Sequence, residues 1–234
     1  ICLSAQVGCP VQCRFCKSGE NGLIRNLSTA EIIQQFLFTN EKINRIVFMG
    51  IGEPLYNYNE IIRAVHILRD RNGLDFPTDG ISISTVGPID KLQMLREEHI
   101  KIQLVLSLHA TDQETRDYLI PGMSKHSINE VVSLTMEYGR RHNRKVSIAY
   151  LLLPGINDRR VDSERLSRWF GNKNVIVNLL KYNGKKNYEF RPASVQELNH
   201  FKNILEQSNV QVTIRQSMGD SIEAASAENP SRIA

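Results

Sequence analysis

Ile81-Ser-Ile-Ser-Thr85 and Ile102-Gln-Leu-Val-Leu-Ser107 are two short runs rich in β-branched and aliphatic residues, and the segment between them is amphipathic. This is the pattern of a strand, a crossover helix and a second, parallel strand. Working outward, comparable runs fall at 2–7, 45–49, 145–153, 174–180 and 210–214. Several are continuously apolar, as strands covered on both faces are. Capping boxes open three of the intervening helices, at Ser28-Thr-Ala-Glu31, Ser127-Ile-Asn-Glu130 and Ser194-Val-Gln-Glu197, where hydroxyl and carboxylate each satisfy an orphan backbone N–H. Six or seven such units predict the α/β class and an incomplete parallel (β/α)6-type barrel, because the chain is at the short end for a closed eight-fold one. A single core domain is expected over 1–234, with no linker, repeat or low-complexity segment.

Composition narrows the function class. With 234 residues, 41% hydrophobic and 23% charged, the chain can bury a substantial core, which excludes a disordered tail, a collagen-like repeat and a small disulfide scaffold. No stretch approaches the roughly 18–20 apolar residues of a membrane helix, and the start at Ile1-Cys2-Leu3 lacks the layout of a signal peptide. The cytoplasm is the expected address. A net charge of +4 permits a polyanionic partner without requiring one. Basic clusters at Arg140-Arg-His-Asn-Arg-Lys145 and at Lys181 with Lys185-Lys186 read either as phosphate contacts or as solvated faces, the first also as a basic helix C-terminus.

All four cysteines, Cys2, Cys9, Cys13 and Cys16, lie in the first 16 residues. Bridges across spacings of three or four residues would close tiny loops that stabilise little, so local ligation is the better reading. In a parallel α/β fold ligands bind at the carboxyl ends of the strands, and the unusual residues cluster after the expected strands. They include Cys9, Cys13 and Cys16, Met49-Gly-Ile-Gly-Glu-Pro54, Ser84-Thr-Val-Gly87, Ser107-Leu-His-Ala110, Pro154-Gly-Ile-Asn157, Tyr182-Asn183 and Met218-Gly-Asp220.

Cys9-Pro-Val-Gln-Cys13-Arg-Phe-Cys16 places three soft thiolates on one loop. A [4Fe–4S] cluster held by three cysteines keeps one iron open to an external chelating group. Zinc would need a fourth ligand, and no His or Cys follows at zinc-finger spacing. Purely structural thiols are the other alternative. Gly50-Ile-Gly52-Glu53-Pro54 allows close backbone approach to a ligand and offers a carboxylate to an ammonium, or is simply a tight strand-to-helix turn. His109 could equally be a satisfied core histidine, Ser84 and Ser107 turn hydroxyls, and Asn183 a turn former.

The cysteine loop, with Phe15 before its last cysteine, resembles the signature of the radical S-adenosylmethionine (SAM) superfamily. That resemblance implies a [4Fe–4S] cluster on Cys9, Cys13 and Cys16 that binds SAM and cleaves it reductively to a 5′-deoxyadenosyl radical, with Gly52 and Glu53 near the methionine amino group. Cys2-Leu-Ser-Ala-Gln-Val-Gly-Cys9, Val47-Phe-Met-Gly-Ile-Gly-Glu-Pro-Leu55, Ile83-Ser-Thr-Val-Gly87, Ser107-Leu-His-Ala110, Thr115-Arg-Asp117 with Pro121, Asn178-Leu-Leu-Lys-Tyr-Asn183 and Gly219-Asp-Ser-Ile-Glu-Ala-Ala225 resemble the RlmN/Cfr branch, which methylates adenosines of ribosomal and transfer RNA. Carried over residue by residue, this implies SAM contacts from Ser84, Ser107, Leu108, His109 and Asn183. It also implies rRNA or tRNA as substrate, a flavodoxin or ferredoxin as electron donor, and Cys2 as the resolving thiol.

The match fails at two places. Ser226 stands where the branch has its methyl-carrying cysteine, and a hydroxyl is a far poorer nucleophile than a thiolate and cannot form the resolving disulfide. Ala149 stands where the branch usually has Glu, and Ala227-Glu228 replace Gly-Gln. Either Ser226 is an inactivating replacement or the chain is a paralogue that applies the radical to another, non-RNA substrate. The accessory N-terminal domain of the branch does not precede these residues: either the sequence begins after it or the protein is a minimal core, and without that domain RNA contact would have to come from the barrel.

Overall fold

The structure, a computed structural model, describes residues 1–39, 41–183 and 189–215. Its centre is a sheet of seven parallel strands: β1 (Cys2–Leu3), β4 (Ile46–Phe48), β5 (Ile81–Thr85), β6 (Gln103–Ser107), β7 (Val146–Leu152), β8 (Val175–Lys181) and β9 (Gln211–Arg215), neighbours in that order. Among the described residues β1 and β9 are not paired, so the sheet is an open barrel segment. Six crossovers join the strands through α1 (Thr29–Leu37), α2 (Tyr58–Arg69), α3 (Ile89–Glu97), α4 (Gln113–Leu119) with α5 (Ile128–His142), α6 (Arg160–Phe170) and α7 (Val195–Gln207). The fold is the expected α/β one. A separate antiparallel hairpin, β2 (Gln6–Gly8) with β3 (Leu23–Asn26), stands at the carboxyl end of β1.

Period 2 sorts the side chains. Ile81, Ile83, Leu104, Leu106, Val146, Ile148 and Tyr150 face the helices in the main core and are essentially inaccessible. Burying each such side chain contributes roughly 1.5–3 kcal/mol. The alternate residues share the concave face. Strand register aligns Cys2, Val47, Ser82 and Gln103 in one row, Ser84, Val105, Ser147 and Ile176 in the next, and Ser107, Ala149 and Asn178 above them. The concave face therefore carries serines, Ala149 and Asn178 among Val47, Val105 and Ile176, where the convex-face residues named above are all apolar.

Two expectations change. The run 2–7 is two strands, because the chain leaves the sheet at Ser4, whose N–H donates to Gln35 Oε1 (2.8 Å) and whose carbonyl accepts from Gln35 Nε2 (3.0 Å). β3 has no signal in the sequence because all four of its residues are exposed, so no alternation marks it. The capping boxes at Ser28 and Ser194 are complete, whereas at Ser127 the serine side accepts from Glu130 N–H. Among the described residues no helix is long and apolar enough to cross a membrane.

Candidate active site

The cysteine loop leaves β2 through Gly8, at φ 74°, where a Cβ would stand 2.1 Å from the Gly22 carbonyl oxygen. Cys9 N–H donates to that same oxygen (2.9 Å). Val11, at the loop's centre, is 1% exposed in a second apolar cluster with Val86, Leu119, Ile120, Met123, Leu151 and Tyr182, against which Cys9, Cys13 and Phe15 pack. Backbone bonds from Arg14 to Leu119 (3.0 Å) and from Gly122 to Val11 (2.9 Å) tie the loop to the end of α4. None of the four cysteines is in a disulfide. Burial pushes the Cys9 thiol up to about 11 and Cys13 well above its ordinary value, with the neighbouring cysteine adding to the effect. Such thiols ionise when a metal supplies positive charge. Among the described residues no three His, Cys, Asp or Glu side chains converge where one ion could sit. A cubane takes each thiolate on a different iron and does not ask for that convergence.

Beside this loop lies Glu53, 3% exposed. Its Oε1 accepts from Thr85 Oγ1 (2.6 Å) and Leu55 N–H (2.9 Å), its Oε2 from Val86 N–H (2.9 Å), and its own N–H donates to Gln6 Oε1 (2.9 Å). An ionised carboxylate has about four lone-pair sites, so three are filled and one is open to a cationic group. Desolvation nevertheless raises the Glu53 pKa to about 7, against the hydrogen bonds that lower it. The glycines of Gly50-Ile-Gly52 serve a closer neighbour than the ligand the sequence suggests. A Cβ on Gly50 would stand 2.5 Å from Ser4 Oγ, and one on Gly52, at φ 100°, 2.5 Å from Gln6 Cβ. Gly52→Ala is therefore expected to cost about 1–3 kcal/mol in urea denaturation, through positive φ and displaced Gln6.

At the ends of β5 and β6, Ser84 and Ser107 lie with their hydroxyl oxygens 3.2 Å apart. His109 follows at φ 55°, 5% exposed, with Nδ1 accepting from Leu151 N–H (3.0 Å), so the neutral ring carries its proton on Nε2. Burial, with Arg116 adding, lowers its pKa to about 3. Phe15 meets the ring edge-on at 5.0 Å between centroids. Asn157, which the sequence marks only as a loop residue, is fully buried and holds this corner. Its Nδ2 donates to His109 O (2.8 Å) and Leu151 O (2.7 Å), and its Oδ1 accepts from Leu153 N–H (2.7 Å).

One cavity at the strands' carboxyl ends is lined by Cys9, Cys13, Cys16, Gly52, Glu53, Ser84, Ser107, His109 and Asn183, and also by Ala149 and Lys181. Leu108 departs from the expectation. Its side chain is in the main core, its N–H is spent on Ala149 O and its carbonyl on Ala110 N–H and Arg116 Nη1, because period 2 turns it away from the concave face. Cys2 is exposed on the edge strand and does not line the cavity. It shares the concave face with Ser82, one row nearer the strands' amino ends than Ser84, roughly 7 Å along the strand. The Arg140–Lys145 cluster precedes β7, at the end of the sheet opposite the cavity, where Arg141 pairs with Glu97 (2.6 Å) and Arg144 with Asp79. Ser226, Ala227, Glu228, Met218–Asp220, the 219–225 block and Lys185-Lys186 lie outside the described residues. Thr85, Gln6 and Asn157 lie inside blocks the sequence marks, but no role attaches to them there, and their roles come only from the partners the fold gives them.

The pH dependence follows from these groups. Glu53 has a folded pKa above its unfolded value, so the folded protein holds the extra proton and stability falls as pH rises from about 4.5 to about 7, by about 3 kcal/mol from this group. His109, with a lowered pKa, works in the opposite sense and removes stability as pH falls below about 6.5. Urea denaturation of the metal-free protein should show Glu53→Gln removing the loss between pH 4.5 and 7, and a variant with the same slope as the parent would refute the assignment.

The family model described as the radical SAM superfamily matches residues 3–166. A probable RNA methyltransferase of Rhodopseudomonas palustris (strain BisB5) is 49% identical over 224 residues, covering 96% of this chain and 62% of that protein. A probable dual-specificity RNA methyltransferase RlmN of Dictyoglomus turgidum is 38% identical over 231 residues, covering 96% of this chain and 66% of that protein. The chain thus spans somewhat under two thirds of the length of both curated relatives. The crystal structure of a radical SAM methyltransferase from Sphaerobacter thermophilus superposes with a TM-score of 0.90 at 33% identity, over 97% of this chain and 69% of that one. With this sequence and structural likeness over nearly its whole length, the chain belongs to the radical SAM superfamily, within its RlmN/Cfr-like methyltransferase branch.

Proposed function

We propose that this chain is the catalytic core of an RNA adenine methyltransferase that works through a [4Fe–4S] cluster and SAM, the cofactor pair that membership of the superfamily implies. The observation that carries the reading is the cavity in which the three loop cysteines meet Glu53, Ser84, Ser107, His109 and Asn183. Cys9, Cys13 and Cys16 would hold the cluster, which when bound supplies the electron for reductive cleavage of SAM. Gly52 and Glu53 would take the methionine amino group, the open carboxylate site of Glu53 accepting a hydrogen bond from it. Ser84, Ser107 and Asn183 would position the nucleoside through hydrogen bonds, and the neutral His109 would present its Nε2–H without adding charge. Phe15 and Val11 keep water from the inner wall. RNA is the substrate in this reading because the relatives described above are named probable RNA methyltransferases, and a low-potential electron donor of the flavodoxin or ferredoxin kind is the required partner. Cys2 is the resolving thiol in this reading, with the methyl-carrying position at Ser226.

A second reading has its own support. Ala149 opens the cavity where the branch usually has Glu, and Ser226 lacks the nucleophilicity that methyl transfer through a side chain needs. Both favour a radical reaction on a different, non-RNA substrate. The two readings separate on anaerobically reconstituted, dithionite-reduced protein given methyl-deuterated SAM with and without ribosomal or transfer RNA, as it stands and with Ser226→Cys. Labelled methyl at residue 226 and then on RNA in the Cys variant establishes the methyltransferase. If both forms release 5′-deoxyadenosine with neither labelled protein nor S-adenosylhomocysteine, the methyltransferase reading fails and the second stands.

A further inference from the structure

Arg116 is a charge with no charged partner. It is on α4, 0% exposed, the largest completely buried side chain among the described residues. Its Nη1 donates to Leu108 O (2.5 Å) and more distantly to Ser107 O (3.5 Å), its Nη2 to Val86 O (2.5 Å), and Nε has no hydrogen-bond partner. None of the ion pairs among the described residues includes it. Burying an ion without a counter-charge costs several kcal/mol even after relaxation, and carbonyls offset only part of that. Desolvation accordingly pulls its pKa down to about 10, while Cys13, Asp117 and Glu53 act to raise it, Cys13 most of all. The same helix end is bonded to the cysteine loop through Leu119 with Arg14 and Gly122 with Val11. The helix that carries the uncompensated cation thus ends against the cysteine loop.

A cubane held by three thiolates is net negative and becomes more so on taking up an electron, and nearby charge is one of the terms that set its potential. We propose that Arg116 is the electrostatic counter-charge of the cluster site, a desolvated guanidinium on the helix that adjoins the cysteine loop, fixed on the carbonyls of Val86 and Leu108, which favours the reduced cluster and raises its reduction potential. The proposal rests on the cluster reading above. Arg116 touches neither substrate nor reacting atoms and is a positioning residue. The competing role is a structural clamp between the loops after β5 and β6, which would lower stability without moving a potential.

The test uses the whole chain, reconstituted anaerobically with iron and sulfide, as wild type and as Arg116→Gln, Arg116→Met and Arg116→Lys. Iron and sulfide content and visible absorption come first, then a mediated dithionite titration followed by electron paramagnetic resonance, without SAM. The neutral variants should load normally and show a roughly tenfold lower ratio of reduced to oxidised cluster at a fixed poise, ~59 mV for one electron, while Arg116→Lys stays within about threefold of wild type, well under 59 mV. Neutral variants that load and titrate with wild type would overturn the proposal. If neither neutral variant folds, Arg116→Lys decides. A wild-type ratio supports the charge, and a tenfold fall shows that the forked geometry matters instead and overturns it. Failure of the wild-type protein itself to take up a cluster is a different result, which removes the cluster reading and this inference with it.

Discussion

The triple variant Cys9→Ala, Cys13→Ala and Cys16→Ala is expected to keep its fold and to lose both the iron–sulfur absorption and all 5′-deoxyadenosine formation, a fall of at least about a thousandfold to the assay background. The fold survives because the loop is anchored by groups other than the thiols. Val11 sits in its apolar cluster, and Cys9 N–H, Arg14 N–H and Val11 O are held through backbone bonds that an alanine keeps. Activity is lost because the reduction needs a metal centre, and removal of its thiolates leaves the neutral thioether of Met49 as the one sulfur in the cavity lining, which supplies no anionic ligand. Far-ultraviolet circular dichroism, iron content and anaerobic SAM turnover read the three quantities separately. A variant that loses stability while wild-type protein binds no iron would return the loop to the structural-thiol reading.

Asn157→Ala should lower the unfolding free energy by about 3–9 kcal/mol, since buried groups left without partners cost roughly 1–3 kcal/mol each. The substitution orphans three of them, His109 O, Leu151 O and Leu153 N–H, at a residue with 0% exposure. Against a typical stability of about 5–15 kcal/mol this is a large share. Asn157→Asp should do no better, because a carboxylate would face two carbonyl oxygens. Urea midpoints measure the effect, and a loss under about 1 kcal/mol would mean that water replaces the amide. His109, whose carbonyl Asn157 holds, should lose its fixed ring orientation in the same variant, visible as a shift of its imidazole resonances.

Legibility differed by the range of the interaction involved. The strands at 81–85 and 102–107 were readable because alternation and β-branching act along the chain, and the observed β5 is Ile81–Thr85 and β6 Gln103–Ser107. The hairpin strand Leu23–Asn26 was not, since it buries nothing and so bears no pattern. In the site, Cys9, Cys13, Cys16, Glu53, Ser84, Ser107, His109 and Asn183 were marked by their places after strands and do meet in one cavity. Leu108 was marked by the same rule and faces the core, because adjacent residues in an extended segment point to opposite sides.

The sequence alone determined the parallel α/β architecture, the three-cysteine array and the departure at Ser226, all properties of residues near one another along the chain. Only the tertiary structure decided that Glu53 is held by Thr85 and Val86, more than thirty residues away, that Gly50 and Gly52 make room for Ser4 and Gln6, and that Asn157 and Arg116 are buried under the cavity. The reason is physical. A polar side chain acquires its charge state and its role from desolvation and from its partners, and both are set by which distant segments pack around it.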